Sequence, residues 1–74
     1  MLGVFGSYAR GDNTQDSDLD ILVDFARPVN LLDLIGIEQE LSEKLGIRVD
    51  LVTYRSLNPI IKKYIEKDLI MLAA

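Results

Sequence analysis

The sequence predicts one small α/β (α+β) domain, residues 1–74, in which helices pack on one face of a mixed β-sheet. Two segments alternate between apolar and polar residues, as strands with one buried face do. Two further segments place apolar residues at helical spacing, which indicates amphipathic helices. A chain of 74 residues has room for a single small core, so we expect one domain.

The first part of the chain predicts two strands separated by a loop. LGVF, from Leu2 to Phe5, is a short apolar run that ends at Gly6. The next segment, GSYARGDNTQDS, is rich in turn residues and side-chain oxygens, so we expect a turn and a loop. DLDILVDF then alternates, with Leu19, Ile21, Val23 and Phe25 on one face and Asp18, Asp20, Leu22 and Asp24 on the other.

A helix is predicted from Leu31 to Leu45. Asn30 is a suitable N-cap, Asp33 stands in the capping-box position, and Gly46 follows the last turn. The apolar stripe of this helix is formed by Leu31, Leu34, Ile35, Leu41 and Leu45.

The rest of the chain predicts a strand, a second helix and a last apolar segment. IRVDLVTY alternates, with Ile47, Val49 and Leu51 on one face and Arg48, Asp50 and Val52 on the other. Asn58 and Pro59 are typical of a helix cap and first helical position, and the apolar stripe that follows is Ile60, Ile61, Tyr64 and Ile65. LIML is a final short strand or an apolar tail.

Composition excludes several classes of function. The chain has no cysteine and no histidine, which excludes disulfides, zinc sites and imidazole catalysis and leaves oxygen ligands for any metal. A net charge of −4 gives no basic surface for nucleic acid. We see no signal peptide and no membrane-spanning run, so we expect a cytoplasmic protein. The hydrophobic fraction of 49% predicts self-association, as a homodimer or larger, or a partner protein.

Three carboxylates are predicted to share the face opposite the helices. Asp18 and Asp20 lie on one strand and Asp50 on the next, and a helical connection typically makes such strands parallel neighbours. Carboxylates this close repel one another unless a cation lies among them, so the arrangement favours a magnesium site. The alternative is that these aspartates only keep a strand end soluble, or that Asp50 pairs with Arg48. We prefer this structural interpretation for Asp24.

The turn before the acidic strand adds a second indication. Gly6 allows close backbone approach, Ser7 offers a hydroxyl, and Arg10 can bind phosphate with its charged fork. Because magnesium is often held by few carboxylates together with substrate phosphates, the two features together predict a nucleoside triphosphate site.

GSYARG followed by SDLDILV resembles the signature of the DNA polymerase beta-like nucleotidyltransferase superfamily, in particular its minimal nucleotidyltransferases. Those proteins are frequently antitoxins whose partners are HEPN-domain toxins. The resemblance implies that Gly6 and Ser7, assisted by Arg10, hold the triphosphate of ATP. It also implies that Asp18, Asp20 and Asp50 bind two magnesium ions, with Asp50 as the base for the incoming hydroxyl.

The reaction implied is transfer of AMP from ATP to a hydroxyl acceptor, with a partner protein such as a HEPN toxin as acceptor. The alternative is an antitoxin that neutralises its partner by association without catalysis. Family members usually begin with a helix before the first strand, whereas here the strand follows Met1 almost directly. We therefore expect a fold shortened at its N-terminus, with apolar surface left for association.

Overall fold

The computed structural model describes residues 1–73 and contains one mixed four-stranded sheet. Its strands are β1 (Leu2–Phe5), β2 (Leu19–Val23), β3 (Val49–Thr53) and β4 (Ile70–Ala73), arranged in the order β3-β2-β1-β4. Its helices are α1 (Gly6–Arg10), α2 (Leu31–Leu45) and α3 (Pro59–Glu66), with a single 3-10 turn at Tyr54–Ser56. The predicted fold class is confirmed, and the last apolar segment is a strand.

The central strands β2 and β3 are parallel, as the long helical connection between them predicts. Their register places Asp20 directly beside Asp50. β1 runs antiparallel to β2 on its other side and pairs Phe5 with Asp20. Because residues paired across strands share a face of the sheet, these three side chains lie on the same side.

Helix α2 begins and ends where the sequence predicts. Asn30 Oδ1 accepts a hydrogen bond of 2.8 Å from the N–H of Asp33, and Gly46 closes the helix at a φ of 71°. The main core lies between this helix and one face of β2 and β3. It consists of Ile21, Val23, Val49 and Leu51, with Leu19, Phe25, Leu34 and Leu41 packed against them.

Helix α2 also covers the outer edge of β3. Ser42 Oγ accepts a hydrogen bond of 3.0 Å from the N–H of Val49, and Glu38 Oε2 accepts one of 2.9 Å from the N–H of Leu51. These N–H groups point away from β2, where no strand supplies carbonyl oxygens. Two polar side chains of a helix therefore satisfy donors that an edge strand normally leaves exposed.

The placement of α3 differs from the prediction that both helices cover one face. Ile65, the buried residue of α3, lies outside the main core and lines a cleft with Phe5, Gly6 and Asp20. The helix is therefore on the acidic side of the sheet. Leu22 also alternates onto that side and is only 1% exposed, so the acidic side has apolar surface to bury as well, which favours a helix there.

The segment expected to be a turn and loop starts with a helix. Residues Gly6–Arg10 form α1, and the N–H of Gly11 donates to the carbonyl oxygen of Ser7 at 2.9 Å. Serine, tyrosine, alanine and arginine are all compatible with one helical turn. The prediction of a turn at these residues, which gave most weight to the flanking glycines, was therefore wrong. None of the helices within residues 1–73 has the length and apolar character needed to cross a membrane.

Candidate functional site

The centre of the candidate site is the pair of aspartates on β2 and β3. Asp20 lies beside Asp50 in the parallel ladder. Burial raises the pKa of Asp20, and so do the nearby carboxylates of Asp50 and Asp18, while Arg10 opposes the shift. The structure thus brings together two of the three predicted carboxylates, with the third close enough to act on Asp20 through its charge.

Gly6 lies directly against Asp20. A Cβ atom at position 6 would collide with Asp20 Oδ2, and the φ of Gly6, 75°, is one that L-residues rarely adopt. The sequence predicted that the missing side chain allows a phosphate to approach the backbone. In the structure the anionic group against Gly6 is the Asp20 carboxylate, so the turn and the acidic strand form one unit.

Ser7 and Arg10 line the same cleft as Asp20. This cleft, about 320 Å³ in volume, is lined by Phe5, Gly6, Ser7, Arg10, Asp20, Tyr64, Ile65 and Asp68. Helix α1 therefore places the serine and arginine beside the acidic strand. Tyr64 and Asp68, from α3 and the segment after it, were not anticipated because nothing local in the sequence marks them.

Arg10 is already paired. Its Nη1 donates to Asp68 Oδ2 at 2.8 Å and its Nε donates to Asp12 Oδ2 at 3.2 Å. The hydrogen bond to Asp68, followed by that to Asp12, raises the pKa of this guanidinium. A phosphate bound by Arg10 would have to compete with these two carboxylates.

Asp18 faces a different partner. Arg48 Nε lies 2.9 Å from Asp18 Oδ1, and Asp18 is half exposed. The Oδ1 atom itself is buried and has no aligned hydrogen bond, so the contact is an attraction between charges with poor hydrogen-bond geometry. The alternative in which Arg48 pairs with Asp50 is not what the structure shows.

The three aspartates do not form a closed metal cage. Across residues 1–73 no three acidic, histidine or cysteine side chains are grouped as metal ligands. Asp18 and Asp50 line a second cleft, of about 550 Å³, together with Arg48, Val49 and the α2 residues Glu38, Gln39, Ser42 and Glu43. The donor atoms still fit a hard cation, because they are all carboxylate oxygens, one of them is buried without an aligned donor, and they repel one another.

Asp24, for which the sequence suggested only a structural role, is bonded to two other segments of the chain. Its Oδ1 accepts a hydrogen bond of 3.1 Å from Arg55 Nε, and its N–H donates to the carbonyl oxygen of Met1. These contacts tie the end of β2 to the segment after β3.

Residues 1–72 match the nucleotidyltransferase domain family. Protein adenylyltransferase MntA of Thermococcus cleftensis is 48% identical over 69 residues, which is 93% of this chain and 70% of that protein. A candidate protein adenylyltransferase of Methanocaldococcus jannaschii is 53% identical over 70 residues, which is 93% of this chain and 71% of that protein. The chain therefore belongs to the nucleotidyltransferase domain family, as its motifs predict.

Solved structures show the same fold. A toxin–antitoxin complex with AMP-PNP has a chain that matches with a TM-score of 0.90 at 29% identity, covering 99% of this chain and 59% of that one. A candidate minimal nucleotidyltransferase matches with a TM-score of 0.82 at 42% identity, covering 96% of this chain and 72% of that one. A third match, with a TM-score of 0.79, 26% identity and coverage of 99% and 55%, is a tri-AMPylated Shewanella oneidensis HEPN toxin in complex with MNT antitoxin.

Proposed function

We propose that this member of the nucleotidyltransferase family transfers AMP from ATP to a hydroxyl group of a partner protein and acts as an antitoxin. Relatives about half identical in sequence are named protein adenylyltransferases, and similar structures contain AMP-PNP or an AMPylated toxin. The observation that carries the proposal is the contact of the Gly6 backbone with Asp20, which itself lies beside Asp50. This contact joins the predicted phosphate-binding turn to the predicted acidic set.

Each residue of the proposed site has its own role in the reaction. Backbone N–H groups at Gly6 and Ser7 and the Ser7 hydroxyl hold phosphate oxygens, and Arg10 turns from Asp68 to the triphosphate. The acceptor oxygen forms a bond to the α-phosphorus while the bond to the bridging oxygen breaks and pyrophosphate leaves. Asp50 accepts the proton of the acceptor hydroxyl.

Asp18, Asp20 and Asp50 are the proposed ligands for magnesium, as two ions. When bound, the ions neutralise the phosphate charge and stabilise the attacking and leaving oxygens. The carboxylates orient the nucleotide, and their mutual repulsion makes the empty acidic set less stable than one with a cation. We expect the divalent ion and the nucleotide to bind together.

The proposed acceptor is a HEPN-type partner protein in the cytoplasm. Large apolar side chains stay exposed on α2, α3 and β4, among them Leu32 at 80%, Ile60 at 81% and Leu72 at 61%. Such surface supports association with a partner or, as a homodimer, with a second copy. The acidic composition argues against direct binding to nucleic acid.

A second candidate function is neutralisation by association alone. The observation in its favour is that Arg10 and Asp18 are both engaged in ion pairs rather than directed at an empty site. The exposed apolar side chains fit this function equally well.

Calorimetry of ATP binding, with and without magnesium, tests the proposal. We expect magnesium-dependent binding by the unmodified chain and none by an Asp18→Asn, Asp20→Asn variant. AMP transfer to the cognate partner should be lost in the same variant. Neutralisation that survives in that variant, without nucleotide binding by the unmodified chain, would instead support association alone.

A further inference from the structure

Asp18 is the member of the proposed metal set that already has a cationic partner. Arg48 Nε lies 2.9 Å from Asp18 Oδ1, and Arg48 Nη2 donates to the carbonyl oxygen of Asp16 at 3.4 Å. Because Oδ1 is buried without an aligned donor, the guanidinium compensates its charge without satisfying its hydrogen-bonding capacity. A better ligand for this oxygen could therefore displace the arginine.

The backbone of Arg48 is held in place, whereas its side chain is exposed. The N–H of Leu19 donates to the carbonyl oxygen of Arg48 at 2.8 Å, which anchors the start of β3 to the start of β2. The Arg48 side chain is 77% exposed, the most exposed partner in any ion pair among residues 1–73. It can rotate into solvent without disturbing a packed core.

The charges around Arg48 favour a cation at its position. The 550 Å³ cleft is lined by four carboxylates, those of Asp18, Glu38, Glu43 and Asp50, and Arg48 is the one cationic residue in that lining. Glu38 accepts the N–H of Leu51, and Asp50 lies beside Asp20, whose charge it repels. In this cleft the guanidinium supplies the positive charge that a bound cation would supply.

We propose that Arg48 is a displaceable counter-ion, which holds Asp18 in the absence of metal and leaves it when a magnesium–nucleotide complex binds. The inference rests on the proposed function, because it takes Asp18 as a magnesium ligand. It makes Arg48 a positioning residue that acts through Asp18 and sets the affinity for the divalent ion.

The first test compares two arginines. Arg55 pairs with Asp24 through the same atoms, Nε and Oδ1, at 3.1 Å and is 65% exposed, so Arg55→Gln is a matched control for Arg48→Gln. Calorimetry should show Arg48→Gln binding magnesium, in the presence of ATP, about two- to fivefold more tightly than the unmodified chain. Arg55→Gln should bind as the unmodified chain does. Equal affinities for the two variants, or weaker binding by Arg48→Gln, would overturn the inference.

The same measurement separates this inference from the proposed function. If neither the unmodified chain nor Arg48→Gln binds magnesium with ATP, the proposed function is wrong and the inference with it. If both bind with the same affinity, the proposed function stands and the inference alone is wrong.

The second test needs no variant. The loss of any nearby positive charge can strengthen cation binding, so the first test does not by itself show that Arg48 leaves Asp18. The displacement is therefore observed directly, by NMR of the arginine Nε–Hε groups in the unmodified chain. Magnesium–ATP should shift the Arg48 signal and speed its exchange with water, whereas the Arg55 signal should stay in place. An Arg48 signal that does not change while magnesium–ATP binds would overturn the inference even if Arg48→Gln fails to fold.

Discussion

The two ends of the strand pair β2–β3 carry the same ion pair in different surroundings. At one end Arg48 contacts Asp18 at 2.9 Å, and at the other Arg55 contacts Asp24 at 3.1 Å. Each aspartate lines a cleft, but Asp18 lies near Asp20 and Asp50, whereas the cleft at Asp24 has, among residues 1–73, no other acidic residue in its lining. The comparison teaches that two differences distinguish the candidate site from a structural tie. Asp18 has acidic neighbours, and its Oδ1 lacks the aligned hydrogen bond that Asp24 Oδ1 accepts from Arg55.

The largest expected difference between the two ends is in AMP transfer. We expect Asp20→Asn to lower transfer to the cognate partner at least about a hundredfold, because it weakens a proposed metal ligand and a charge beside Asp50. Asp24→Asn, one residue past the end of the same strand, should leave transfer within about twofold of normal. The measurement is incorporation of label from ATP carrying a radioactive α-phosphate. Equal losses in both variants would show that the two ends do not differ in function.

A second expected effect is on the stability of the fold around Gly6, next to the candidate site. We expect Gly6→Ala to lower the free energy of unfolding by more than the roughly 1–2 kcal/mol that a left-handed backbone costs an L-residue, because its Cβ also collides with Asp20. Gly46→Ala is the matched control, since Gly46 has a φ of 71° and open space around its missing Cβ. Urea denaturation of both variants gives the difference. If Gly46→Ala is as damaging as Gly6→Ala, the contact with Asp20 has no energetic weight.

A third, smaller effect is a gain in stability without metal. We expect Asp20→Asn to raise the free energy of unfolding at pH 7 by a few tenths to about 1 kcal/mol, since it removes like charges paired across strands. The pKa of Asp20 is raised in the folded state, so the unmodified chain regains this stability as the pH falls through that pKa toward the ordinary value of 3.8. The advantage of Asp20→Asn should therefore shrink between pH 7 and pH 4 in thermal melts. If the stability difference between Asp20→Asn and the unmodified chain instead grows as the pH falls, the raised pKa of Asp20 is not its cause.

The smallest expected effect concerns the ion pair between Arg55 and Asp24. Arg55→Gln should lower the free energy of unfolding by about 0.2–1 kcal/mol, as exposed ion pairs usually do, and the loss should diminish in high salt. Chemical denaturation at low and high salt measures both. A loss well above this range would mean that the Asp24 pair organises more of the fold than its contacts indicate.

Local signals explain what the sequence predicts well. Helix α2 has its predicted bounds because Asn30 and Gly46 act within a few residues of themselves, and the alternation of β2 and β3 correctly places Asp20 and Asp50 on one side. The family was predicted from one continuous stretch, since its glycine–serine turn and acidic strand are near neighbours in the chain.

Contacts between distant segments explain what the sequence could not predict. Arg10 pairs with Asp68, which is 58 residues away, and the choice of Arg48 between Asp18 and Asp50 depends on how the start of β3 meets the start of β2. The side of the sheet on which α3 lies was predicted wrongly, because the acidic neighbours of Leu22 in the alternating pattern concealed the apolar surface that this side also buries.

The two side chains of α2 that bond to β3 limit how the sheets of two copies can pair edge to edge. Ser42 and Glu38 occupy N–H groups at one edge, whereas among residues 1–73 no further strand pairs with β4 at the other. Two copies that joined through β4 would both turn outward the edge at which α2 occupies the N–H groups of Val49 and Leu51. With those donors occupied, the outer edges of such a pair would be poor templates for a further strand, which opposes the continuous stacking that builds fibrils.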